Sequence, residues 1–186
     1  MYRALKSSYD LSELDDLIKD LKIYEQDLEQ AFRSGVGDVT LDCATDAQDR
    51  FANAVYDGQN DVVVTVTEKK SGRNSTEAVV RASSNQEVPV TLFIEYGTGV
   101  YNYDGHPEKP PIVLRRGEYG HHLGKLRGWR YKGVPGTNGV PDASHPGYIY
   151  TRGNMSNMCM YKAKMEVLSS RKTVATVEAK LKGVTD

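Results

Sequence analysis

Cysteine is scarce. Only Cys43 and Cys159 occur in 186 residues, far apart in the chain, which excludes a disulfide framework and a paired CxxC metal knuckle. No apolar run approaches the roughly 20 residues that span a bilayer. The opening MYRALKSSYDL lacks the apolar stretch of a secretory signal. Apolar residues make up 39% and mean hydropathy is -0.55, so the core is modest for the length. The net charge of -1 excludes a globally basic nucleic-acid coat and a strongly acidic disordered tail. These shortages leave one soluble domain, residues 1–186, made in a reducing cytoplasm, with no membrane partner.

The near-neutral total hides an uneven distribution. Residues 1–61 carry 14 acidic and 6 basic side chains, whereas residues 97–153 carry 4 acidic and 8 basic, and residues 154–186 carry 3 and 6. An acidic front and a basic back are either ordinary solvated faces or complementary surfaces that steer subunits into contact.

The expected fold class is α+β: N-terminal helices, a β-hairpin-based antiparallel sheet, a long Gly/Pro/Tyr-rich loop, and a C-terminal helix packed on the sheet. Leu11, Leu14, Leu17, Ile18, Leu21, Tyr24, Leu28 and Phe32 step by three and four, as on one face of an amphipathic helix. Asp10 or Ser12 offers its cap, and Gly35 and Gly37 are expected to end it. Ala44, Ala47, Phe51, Ala54 and Val55 predict a second helix over about 40–57, stopped at Gly58. The period then changes to two. Val62, Val64 and Val66 alternate with Val63, Thr65 and Thr67, and Ala78, Val80 and Ala82 repeat the pattern. This predicts a hairpin whose long loop is Lys69–Asn74. Residues 88–96 read either as a strand or as a short helix with Pro89 at its start. Past Gly153, Asn154 or Ser156 can cap a last helix. Met155, Met158, Tyr161 or Lys162, Met165 and Leu168 lie along one side of it. Ser169-Ser170 can bend it, and Gly183 is expected to end it.

Residues 97–153 hold 12 of the 17 glycines, 6 of the 7 prolines, the single tryptophan, all four histidines and six of the 12 tyrosines. Disordered chain is poor in aromatics, so the expectation is a long interface loop that orders against another chain. The alternatives are disorder or a self-packed lobe.

Chemistry-bearing patterns are weak. His121-His122 with Glu118, plus His106 and His145, match no HExxH or HxxEH spacing. Gly97-Thr98-Gly99 lacks the strand-to-helix context of a phosphate loop. Cys43 and Cys159 read as small buried hydrophobes. No catalytic residue, metal or cofactor is expected. Arg115, Arg116, Lys125, Arg127, Arg130 and Lys132 interleave with Tyr119, Trp129 and Tyr131, a pattern that binds single strands or another protein.

Two segments carry a resemblance. Glu95-Tyr96-Gly97-Thr98-Gly99 follows an apolar segment after the hairpin. Far downstream, Thr151-Arg152-Gly153 leads through Met158 and Met160 to Ala163. This order resembles the tail-completion, or head–tail joining, proteins of tailed bacteriophages. Met158-Cys159-Met160 stands where that family often has Pro-Phe-Met, and the loop is long for the family. The resemblance implies a non-enzymatic virion protein in the neck, forming a hexameric homo-oligomer ring between head connector or adaptor proteins and the tail terminator or tail tube. Genomic DNA would pass the lumen without sequence recognition, past an acidic face that includes Asp42, Asp46, Asp49 and Asp57. A tail terminator or head connector at another level of the neck is the near alternative. A DNA-binding module or nuclease using the basic-aromatic loop is the distant one. Gly97 and Gly99 suit a positive-φ turn. Glu95 is expected to accept backbone N–H bonds or to pair with a neighbour's basic residue. Tyr101, Tyr103, Arg115, Arg116, Trp129, Arg130, Tyr131, Tyr148 and Tyr150 are the expected subunit or partner interface.

Overall fold

In the computed structural model, which describes residues 11–72, 75–98, 128–151 and 153–185, Leu11–Ala52 forms one uninterrupted helix, α1. The expected stop at Gly35 and Gly37 does not occur. A mid-helix glycine costs about 1 kcal/mol relative to alanine, which packing readily offsets. Gly35 is buried, and a Cβ built there would stand 3.1 Å from the Cα of Val177. The missing side chain is the contact point of another helix. The helix ends five residues before Asp57, where the Asn53 N–H and side-chain amide both donate to the Asp49 carbonyl (3.1 and 2.8 Å).

Strands β1 (Val63–Gly72) and β2 (Ser75–Ser83) form the expected antiparallel hairpin, in register from Val63↔Ser83 to Gly72↔Ser75. Val62 is buried and Val64 and Val66 half-buried, while Val63 points outward. Ala78, Val80 and Ala82 are likewise half-buried. The ladder includes Lys69 and Lys70, so the strands consume most of the segment read as a long loop. Gln48 of α1 fastens the hairpin base. Its amide donates to the Val62 carbonyl (3.2 Å) and its carbonyl accepts the Val64 N–H (2.7 Å). Beyond β2, the Asp61 carboxylate takes the Ser84 hydroxyl (2.5 Å), the Gln86 amide (2.9 Å) and the Asn85 N–H (3.1 Å). These bonds, the Ser84 hydroxyl foremost, hold its pKa below the usual carboxylate range.

Residues 90–96 settle as a helix, α2 (Val90–Tyr96). Proline suits a helix start because no N–H is lost there, and the Pro89 carbonyl accepts Leu92 and Phe93 N–H. Val90 and Ile94, four apart, share the face that enters the core. That core also holds Phe51, Tyr56, Val62 and Cys159.

The segment expected as a loop through 153 is structured in its second half. Strands β3 (Trp129–Lys132), β4 (Val140–Pro141) and β5 (Tyr148–Thr151) pair antiparallel in the order β3-β5-β4. The short strands hid their period among glycines and prolines. Ile149, fully buried, anchors the sheet. Backbone bonds from Gln59 to Val134 (3.0 Å) and from Gly136 to Asp57 (2.8 Å) zip it to the α1–β1 connection. Gly58, expected as a helix cap, pairs there with Pro135.

The last helix is two, α3 (Cys159–Ser169) and α4 (Arg171–Thr185), broken at extended Ser170 as Ser169-Ser170 foretold. Gly183 lies inside α4 rather than ending it. Cys159 and Met160 reach the core beneath the hairpin, but the rest of α3 and α4 lies along α1 and not on the sheet. Lys180 of α4 pairs with Asp38 of α1 (3.0 Å). Among the described residues the fold is α+β: four helices and two small antiparallel sheets.

Candidate functional site

The two segments singled out in the sequence meet. Thr98 and Asn154 form a two-residue antiparallel bridge, with N–H to carbonyl distances of 2.8 and 3.1 Å. The Asn154 N–H also donates to the Thr98 hydroxyl (3.0 Å). Upstream, the Ile94 carbonyl accepts the Asn157 N–H (3.0 Å). The Glu95 carbonyl accepts the Met158 N–H (3.1 Å) and the Ser156 hydroxyl (2.7 Å).

Glu95 itself is the cap of α3. Its carboxylate accepts the Met160 N–H (2.9 Å) and the Tyr161 N–H (3.0 Å). An α-helix leaves its first N–H groups without partners. Neither Asn154 nor Ser156 caps α3, and Met158, in left-handed conformation, brings no side-chain cap. The buried Glu95 supplies it from a different helix, with a negative charge that suits the helix dipole. Of the two expectations for Glu95, backbone N–H bonding is realised, within its own chain. Gly97 permits the approach. It adopts φ 76 and ψ 174, and a Cβ there would lie 2.6 Å from the Asn154 oxygen and 2.7 Å from the Ser156 nitrogen. Ala163 is fully buried on the inner side of α3, and Tyr96 is half-buried at the end of α2.

The staple also grips the α1–β1 connection. Asn157 pairs its side-chain amide with Val55 in both directions, each bond 3.0 Å. Asn154 Oδ1 accepts the Asp57 N–H (2.9 Å), and the Thr151 hydroxyl donates to the Asp57 carboxylate. Asp57 is therefore a structural acceptor rather than a free surface charge. Asp46 pairs with Arg50 (2.8 Å), while Asp42 and Asp49 are exposed. The roles of Asp57 and Asn157 were missed because both bond partners distant in sequence. The run Asn154-Met155-Ser156-Asn157, small polar residues before an apolar helix, was the available signal.

Cys159 begins α3 and is 1% exposed. Burial first, then the Glu95 charge, pushes its thiol up to about 12. At pH 8 only about one part in ten thousand would be the reactive thiolate. Cys43 is half-buried, and burial raises its thiol too. Native protein at pH 8 should therefore yield at most one thiol promptly to a disulfide reagent such as DTNB, and the second only in denaturant. Two fast thiols in the native state would contradict this packing.

The interface residues divide. Trp129 and Tyr131 are half-buried and lie on the inner face of the small sheet with Ile149 and Thr151. Tyr131 is thus not an outward anchor. Its hydroxyl is buried and lies near that of Tyr56 without meeting hydrogen-bond geometry, and burial raises both hydroxyls. The opposite face carries Arg130, Lys132, Tyr148 and Tyr150. Tyr148 is exposed and Tyr150 half-buried. Arg130 pairs with Asp142, and His145 stands 3.4 Å from the same carboxylate. The Ser144 N–H first, then Arg130 and His145, keep Asp142 below the usual carboxylate range.

Gly99, Tyr101, Tyr103, Arg115, Arg116 and Arg152 lie outside the described residues, as do Asp10, His106, Glu118, Tyr119, His121, His122, Lys125 and Arg127. Among the described residues no three His, Cys, Asp or Glu side chains converge as metal ligands, and no helix is long and apolar enough to cross a membrane. No protein-family model, curated protein or solved structure matches this chain.

Proposed function

We propose that this chain is a structural protein of a tailed-bacteriophage neck, which closes the upper end of the tail and joins it to the head connector as an oligomeric ring. The observation that carries the reading is the joining of the two resemblance-bearing segments. Glu95–Thr98 grips residues 154–161 through backbone bonds and one buried cap. These residues lock elements rather than handle a substrate, which suits a protein that works by shape and contact area. The exposed apolar side chains on α1 and α3 supply unpartnered contact surface. A ring needs a heterologous contact that closes by rotation.

Light scattering after size exclusion, followed by negative-stain imaging, tests the reading. Hexameric rings are expected, either from the protein alone or on adding purified tail tubes or head connectors. A monomer indifferent to both, yet retained by DNA at physiological salt, would replace this reading with nucleic-acid binding through the basic-aromatic segment.

A further inference from the structure

The N-terminal part of α1 stands bare. Every residue from Glu13 to Asp27 is exposed, although Leu14, Leu17, Ile18, Leu21 and Tyr24 form one apolar stripe at helical spacing. Farther along the same face the stripe is covered, at Gly35, by Val177 of α4. The C-terminal end of α4, at Gly183 and Val184, lines a groove with Asp27, Gln30, Ala31 and Ser34 of α1. The cover stops where the bare stripe begins.

A second bare stripe lies on α3. Ala163 faces inward and is fully buried, while Tyr161, Met165 and Leu168 point away from α1, 40%, 43% and 65% exposed. Val174 extends the apolar surface onto α4 at 60%.

The two stripes have opposite surroundings. Between Leu11 and Gln30 seven acidic residues outnumber two lysines, whereas α3 and α4 carry six basic residues against two acidic. Glu13 and Asp20 edge the first stripe. Lys164 and Arg171 edge the second, while Lys172 lines the groove toward Asp42 and Asp46 of α1. Apolar stripes with complementary rims fit each other. Two acidic stripes paired together would set carboxylate against carboxylate.

The stripes cannot meet within one chain. α3 lies beside the Asp42–Asp49 part of α1. Tyr24 is about 33 Å from Asp46 along the helix at 1.5 Å per residue, and α1 is continuous between them.

We infer that the acidic apolar stripe of α1 docks on the basic apolar face of α3 and the start of α4 of a second copy of this chain. The contact is head-to-tail, so it propagates into a ring or a filament. Salt weakens it without abolishing it, because the rims are screened and the stripes are not. The contact does not rest on the neck reading.

The test mixes two crippled full-length proteins. One carries Leu17→Glu and Leu21→Glu, the other Met165→Glu and Leu168→Glu. All four side chains are exposed, and far-UV circular dichroism confirms that each variant folds. If a double variant loses structure, Leu21→Glu and Leu168→Glu alone replace the pairs. Wild type should exceed monomer mass in light scattering, and each variant alone should be a monomer. Their equimolar mixture should double in mass and stop there, because one intact stripe of each kind remains. A wild type that stays monomeric at every concentration overturns the inference. So does self-association of the α3 variant, which would mean α1 pairs with α1, and so does a mixture that remains monomeric. No phage component is present, so this contact and the neck reading can fail separately.

Discussion

Glu95→Ala should lower stability by about 2–4 kcal/mol in urea unfolding. A lost helix cap costs about 1 kcal/mol, and leaving buried N–H groups without acceptors adds about 1–3 kcal/mol. Two part-buried bonds depend on Glu95, those from the Met160 and Tyr161 N–H groups, and Glu95 as a residue is only 6% exposed. The midpoint should fall with the slope unchanged. Glu95→Gln should cost about half as much, since the amide keeps one acceptor oxygen but turns its NH2 toward the other donor. The first turn of α3 should fray in the alanine variant, so Cys159 should react with DTNB several-fold faster. An alanine variant as stable as wild type, with Cys159 still protected, would show that the helix start is held by something else.

Gly97→Ala should be at least as damaging, about 3 kcal/mol or more. The backbone at φ 76, ψ 174 belongs to a region that essentially only glycine occupies. The added methyl would also meet two backbone atoms, at 2.6 and 2.7 Å, that cannot rotate aside as a side chain would. Relief would require opening the Thr98–Asn154 bridge or displacing the start of α3. Gly183→Ala is the control. A Cβ there meets nothing within 4 Å, and α4 is helical at that point. The change should stabilise by up to about 1 kcal/mol. Equal midpoints for the two variants would refute the role given to Gly97. Thermal unfolding followed by circular dichroism reads both.

The staple was half legible in advance. Glu95 followed by Gly97 announced a tight turn with an acceptor, because glycine's backbone freedom is a local property. The identity of the donors was not legible, because the Met160 and Tyr161 N–H groups become available only once α3 starts at Cys159. The start of α3 was expected earlier, at Asn154 or Ser156. Those side chains are occupied elsewhere: Asn154 bonds Asp57, and Ser156 bonds the Glu95 carbonyl.

Local patterning determined the hairpin, the helical periodicity of residues 11–32, the bend at Ser169-Ser170 and the α+β class. Each depends on neighbours within a few residues, where the period of side-chain direction is set by the backbone itself. Tertiary structure decided what the chain could not state locally. Gly35 reads as a stop until α4 packs against it. Tyr131 reads as an outward anchor until β3 pairs with β5 and turns it inward. The apolar stripe from Leu14 to Tyr24 reads as core, yet every residue from Glu13 to Asp27 is exposed. Apolar spacing specifies that a face must be covered, whereas the lengths and positions of distant elements determine whether its own chain covers it.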